Sequence, residues 1–318
     1  MKRIVAMVLA ALLCLSVLAG CAAPKKDTYT VGICQLVQHD ALDAATQGFK
    51  DALVAALGDK VKFDEQNASN DSNACATIIN SFVSKNVDLI MANATPALQA
   101  AVAGTANIPV LGTSVTEYGV ALEIKDFNGV PGGNVSGTSD LAPLDKQAEM
   151  ILELFPDTKK VGLLYCSSEP NSLYQVKVVK EYLEGKGIEC QDFSFSDAND
   201  IAMVTTSACQ YSDVIYVPTD NTVASSAAII DGVCRPAKVP VIAGEEGICK
   251  GCGVATLSIS YYELGKKTGE MAVRILTGEA DISTMAVEYD ENYKKKYNKE
   301  ICDELGIPIP AGYEKIAN

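Results

Sequence analysis

Val87-Asp-Leu-Ile-Met-Ala-Asn-Ala-Thr-Pro96 is the stretch on which the fold turns. Val87–Ala92 is a short, nearly continuous apolar run, the pattern of a strand covered on both faces. Thr95-Pro96 then opens a helix, with threonine as the N-cap and proline at the first helical position. A buried strand that feeds a helix directly is one unit of a parallel sheet.

Outward from this unit the rhythm repeats. Tyr29–Cys34 reads as a strand, followed by a helix over residues 39–58 with apolar residues at Leu42, Ala45, Phe49, Leu53 and Ala56. Asp40 is its expected cap and Gly58 its stop. Val61–Gln66 is a strand, Asp71–Lys85 a helix, and Ile108–Thr113 a fourth strand. The second half alternates in the same way from Leu144 to a closing helix at Tyr261–Leu276. The whole predicts an α/β protein of two lobes, each a parallel sheet covered by helices, with the boundary in the glycine-rich stretch Asn128–Leu144.

The first 20 residues stand apart. Lys2 and Arg3 precede an apolar run too short to span a bilayer, which fits a signal-peptide core. The run ends in Leu18-Ala19-Gly20-Cys21, which resembles the lipobox of bacterial lipoproteins. Cys21 is therefore the expected lipidation site, residues 21–28 are the anchor and tether, and the expected location is the outer face of a membrane.

Composition narrows the function. The chain has 318 residues, with 26 Lys+Arg against 40 Asp+Glu, a formal charge of −14, which argues against binding nucleic acid. Its single histidine, His39, leaves no multi-histidine metal site. There is no GxxxxGK[ST], no GxGxxG after the first strand and no GxSxG, so neither a nucleotide cofactor nor a hydrolase nucleophile is expected. An enzyme is disfavoured. Eleven cysteines do not read as a disulfide framework, because Cys14 leaves with the signal, Cys21 carries lipid and the odd remainder is scattered through apolar segments. Cys249 and Cys252 have CxxC spacing, expected either as a local disulfide or as two inert thiols.

In open α/β sheets ligands bind beyond the carboxyl ends of the strands. Every such end here is rich in hydroxyls, amides or carboxylates: Gln35–His39, Gln66–Asp71, Asn93–Pro96, Ser114–Tyr118, Ser167–Ser172, Pro218–Asn221 and Gly244–Gly247. Some of these groups cap helices, as expected for Asp71 and Ser172. Two such rims facing each other make a polar cleft for a small ligand.

Several of these stretches resemble one family. Val31-Gly-Ile-Cys-Gln35, His39-Asp-Ala-Leu-Asp43, Pro131-Gly-Gly-Asn134, Ser139-Asp140, Ser168-Glu-Pro-Asn-Ser172, Val217-Pro-Thr-Asp-Asn-Thr-Val223 and Tyr261-Tyr-Glu-Leu-Gly265 are similar to the substrate-binding lipoproteins of ABC transporters, of the tryptophan and tyrosine type. The resemblance covers the whole chain beyond the signal. The family pattern differs at Glu117-Tyr118, where Asp-Pro is common, and at Ser260, where Asp is common.

The resemblance implies a type I periplasmic-binding-protein fold of two Rossmann-like lobes joined by three crossovers, near Leu141–Leu144, Ser258–Tyr262 and Ala280–Met285. The lobes would be residues 29–141 plus 261–280 and residues 142–260 plus 281–318. It also implies a binding protein that closes on an aromatic amino acid and delivers it to an ABC permease with a separate ATPase. Other solutes (sugar, nucleoside, peptide) and a ligand-sensing role are the alternatives. A buried amino acid needs both charged ends matched. Thr95, Ser114 and Thr116 are expected at its carboxylate, with Ser167 and Ser168 assisting. Asp220, then Glu245, is expected at its ammonium. Gln35, Asn171 and Asn221 would orient it, and Tyr118 or Tyr262 would stack on its ring.

Overall fold

The computed structural model describes residues 26–317 as two α/β lobes. The expected signal peptide and Cys21 lie outside the described residues. The first lobe contains β1 (Tyr29–Gln35), β2 (Val61–Asn67), β3 (Leu89–Asn93), β4 (Val110–Val115), β5 (Val135–Ser139) and, from far along the chain, β11 (Glu288–Tyr289). They form one parallel sheet in the order β11-β5-β4-β3-β1-β2. The second lobe contains β6 (Lys160–Cys166), β7 (Glu189–Phe195), β8 (Val214–Val217), β9 (Val241–Ala243), β10 (Ala255–Ser258), β12 (Lys294–Tyr297) and β13 (Glu314–Lys315). Their order is β13-β12-β10-β9-β8-β6-β7, with β12 antiparallel to β10 and the other pairings parallel.

The central strands are apolar because both faces are covered. On β3, Leu89 and Met91 join one core cluster while Ile90 and Ala92 join the other. That is the two-residue alternation of a strand read out on two buried faces. The helix Asp40–Leu57 buries Leu42, Ala45, Phe49 and Leu53 as its spacing predicts, with Ala52 buried and Ala56 exposed. His39, not Asp40, is its N-cap residue, and no side chain caps it.

The chain crosses between lobes three times. The first crossing follows β5, and the second follows β10 into the helix Tyr261–Leu276, which returns to the first lobe. This helix lies directly against Asp40–Leu57. A Cβ on Gly265 would run into the carbonyl oxygen of Ala45, and one on Gly48 into that of Tyr262, so glycine permits this approach. The third crossing is later than the sequence suggests. Ile282, Met285 and Val287 are buried in first-lobe clusters and β11 pairs with β5, so residues 281–289 belong to the first lobe and the chain crosses between Tyr289 and Lys294.

The departures from the family pattern are helix caps. Glu117 accepts from the N–H groups of Gly119 and Val120, and Ser260 from that of Glu263. The nine cysteines of the described residues are free thiols, Cys249 and Cys252 among them, both buried within the helix Glu246–Cys252.

Candidate functional site

The carboxyl ends of the two sheets face each other across a small, tightly closed cavity. From the first lobe come His39, Leu42, Ser114 and Thr116. The crossings contribute Asp140 and Tyr261. The second lobe contributes Asn171, Thr219, Asp220, Asn221, Ala224 and Glu245. The lining holds three carboxylates and neither lysine nor arginine.

Each carboxylate is positioned differently. Asp140 sits just past β5, buried, and its Oδ2 accepts the Tyr261 hydroxyl at 2.9 Å. Its Oδ1 is buried with no partner, and the Thr116 hydroxyl lies close to the carboxyl group. Burial pushes the Asp140 carboxyl up to about 6, against the hydroxyls that hold it down. Asp220 is already satisfied. Its Oδ2 accepts from Cys166 N–H at 2.7 Å and Ser172 Oγ at 2.8 Å, and its Oδ1 accepts from Val223 N–H at 2.9 Å. Burial and the neighbouring Glu169 charge push it up strongly. Glu245 caps the helix Glu246–Cys252 through the N–H groups of Gly247 and Ile248, and burial raises it to about 7.

Five polar atoms at or beside the cavity are buried without a partner: His39 Nδ1, Thr95 Oγ1, Ser114 Oγ, Asp140 Oδ1 and Asn171 Oδ1. Unpaired buried polar atoms are rare in native proteins and each needs an explanation. Backbone strain accompanies two of them. Ala94, which precedes Thr95, has φ +92°, and Ser114 has φ +54° at an irregularity in the β4–β5 pairing. Non-glycine residues in this region cluster at ligand-binding positions.

Six of the twelve expected ligand residues line the cavity: Ser114, Thr116, Asn171, Asp220, Asn221 and Glu245. Six do not. Gln35 is buried against its own lobe, bonded to Val37 O, Asp43 and Thr46. Thr95 is buried beside the lining rather than in it, and it is the first residue of its helix, not the N-cap, which is Ala94. Tyr118 is a core side chain that gives its hydroxyl to Thr138 O and packs against Gly112 and Gly137. Ser167 and Ser168 are exposed and bond to Phe195 O and Ser196 O. Tyr262 is turned outward and bonds Asp51, whereas its neighbour Tyr261 faces the cavity. Sequence reasoning gave no ligand role to Asp140 or Tyr261, although both stand in stretches that carry the resemblance.

The lobes touch across the cleft. His39 Nε2 lies 3.3 Å from Asn221 Oδ1, Asn70 Nδ2 donates to Thr222 Oγ1 at 3.0 Å, and Lys250 lies 3.6 Å from Asp40. The cleft is closed.

Two lobes of this topology around a closed polar cavity define a bilobal solute-binding protein. The family model described as ABC transporter substrate binding protein matches residues 30–317, and the chain belongs to that family. It is thus the extracytoplasmic substrate-binding component of an ABC transporter, which takes a small molecule and works with an ABC permease. A tyrosine-binding protein of Clostridioides difficile is 38% identical over 295 residues, covering 88% of this chain and 85% of that protein. A solved structure of the ABC domain in complex with L-Trp from Streptococcus pneumonia is 34% identical with a TM-score of 0.86, covering 91% of this chain and all of that one. The ligand-free, open structure of a substrate-binding protein with adhesive properties from Clostridium difficile is 38% identical, covers 92% of this chain and all of that one, and has a TM-score of 0.70. The poorer superposition on the open structure, despite its higher identity, agrees with the closed cleft.

Proposed function

We propose that the chain captures a free aromatic amino acid between its lobes while anchored to the membrane by lipid on Cys21. The observation that carries the ligand class is the acceptor-rich lining of the cavity, where three buried carboxyl groups stand with neither lysine nor arginine and Asp140 Oδ1 has no partner. A buried carboxylate without a counter-charge is costly, and a ligand ammonium supplies one. Asp140 Oδ1 and Asn171 Oδ1, from the first crossing and the second lobe, accept from the ammonium. The ligand carboxylate meets Ser114 Oγ and Thr116, with the Thr95 helix start behind them. The names of the tyrosine-binding relative and the L-Trp complex support an aromatic side chain. The charged contacts complete only when both lobes engage the ligand, so binding favours closure.

A thermal-shift panel of amino acids, sugars and nucleosides tests this reading. A ligand at about 100 times its Kd adds about 2.7 kcal/mol of stability. The reading expects shifts with aromatic amino acids. Shifts with sugars or nucleosides alone would remove it. For the anchor, Cys21→Ser is expected to release the protein from the membrane fraction, and unchanged retention would count against lipidation.

A further inference from the structure

His39 carries a chain of hydrogen bonds that fixes its protonation. Glu169 is buried, and its Oε2 accepts from Asn221 Nδ2 at 2.7 Å. A carboxylate only accepts, so the amide of Asn221 must place its nitrogen there and its Oδ1 toward His39. Asn221 Oδ1 lies 3.3 Å from His39 Nε2, and an amide oxygen also only accepts, so Nε2 carries the proton. Burial pushes the imidazole below its ordinary value, against the pull of Asn221, Glu169, Asp43 and Asp40, and keeps it neutral. A neutral ring with hydrogen on Nε2 has a bare lone pair on Nδ1. That atom is buried, has no partner, and belongs to a ring that lines the cavity.

Position along the sheet separates this acceptor from Asp140, the carboxylate proposed for the ammonium. Ser114 lies at the end of β4, Thr116 follows it and Asp140 follows β5, whereas His39 follows β1, and β3 lies between β4 and β1. Two strand spacings put His39 about 10 Å along the cavity from the β4 end. A ligand whose charged head sits at β4 and β5 therefore presents its far edge to His39.

We propose that His39 Nδ1 accepts a hydrogen bond from a donor on the ligand's ring, so that the site selects aromatic amino acids with a ring O–H or N–H over those without one. This rests on the aromatic amino-acid reading above. Tyrosine and tryptophan carry such a donor and phenylalanine does not. With phenylalanine bound, Nδ1 stays buried and unpaired, and sites built to bond a substrate donor reject the analogue that lacks it.

Calorimetric titration of the full chain with L-tyrosine, L-tryptophan and L-phenylalanine tests the proposal. The wild type is expected to bind phenylalanine at least about tenfold more weakly than the better of the other two. His39→Gln places an amide near Nε2, keeping a donor for Asn221 but removing the acceptor at Nδ1. It is expected to narrow the gap by weakening tyrosine and tryptophan and sparing phenylalanine. His39→Asn restores an acceptor near Nδ1 and is expected to keep the preference. Equal wild-type affinity for all three overturns the proposal, as does a uniform loss in His39→Gln, which would place Nδ1 on the ammonium instead. Binding of none of the three would overturn the underlying reading of the ligand, an outcome distinct from either.

Discussion

Tyr261 donates its hydroxyl to Asp140 Oδ2 at 2.9 Å, tying the first crossing between the lobes to the helix that begins after the second. Both residues line the cavity, and the other oxygen of the same carboxylate is free. One carboxylate thus ties the two crossings together with one oxygen and leaves the other unpaired at the cavity.

Asp140→Asn keeps an acceptor for Tyr261 but removes the charge. Hydrogen bonds to charged groups contribute about 1.5–3 kcal/mol, so affinity for the amino acid is expected to fall about 10- to 100-fold. The ligand-free melting temperature is expected to hold or rise, since a buried charge is lost. Calorimetry paired with thermal melts checks both.

Burial raises Asp140 to about 6 and Glu245 to about 7, while unfolded carboxyls titrate near 3.9–4.3. Between about pH 4 and 7 the folded, ligand-free protein therefore holds more protons than the unfolded chain, and its stability rises as pH falls through this window. Affinity runs the other way. An ammonium favours ionised Asp140, so below about pH 6 binding must expel a proton and weakens by up to about tenfold per pH unit. Melting curves and titrations from pH 5 to 8 read both slopes.

Asp220 is expected to matter more for the fold than its place in the cavity suggests. Asp220→Ala strands the N–H groups of Cys166 and Val223 and the Ser172 hydroxyl. Loss of an N-cap with buried partners costs about 1–3 kcal/mol, so chemical denaturation is expected to show a lower midpoint even without ligand.

Gly265→Ala tests the helix contact that seats the second crossing. The added methyl meets the carbonyl oxygen of Ala45, which is backbone and cannot rotate away. Overpacking of this kind costs typically about 1–3 kcal/mol, seen as a lower melting temperature.

The strand–helix alternation was legible because buried parallel strands such as β3 are apolar on both faces and because caps such as Asp71, which accepts from Asn73 N–H, mark helix starts. The rims of the cleft were legible through the rule that ligands sit at carboxyl strand ends. What a polar rim residue does was not. Asp220 and Asp140 look alike in sequence, and only the structure shows that one is saturated by Cys166, Ser172 and Val223 while the other keeps a free oxygen. Tyr118 and Tyr261 likewise differ only in which way the chain turns them, one into the core and one into the cavity. The late third crossing was missed because β11 is two residues long and its pairing with β5 is not a local feature of the sequence.

The central claim is that the cavity's carboxylates read a free α-ammonium. Calorimetric titration of the full chain with L-tyrosine and with N-acetyl-L-tyrosine tests it most directly, because acetylation removes the cation and leaves the carboxylate and ring unchanged. The account predicts binding of tyrosine and loss of measurable binding for the acetylated form. Comparable affinity for the two would contradict it.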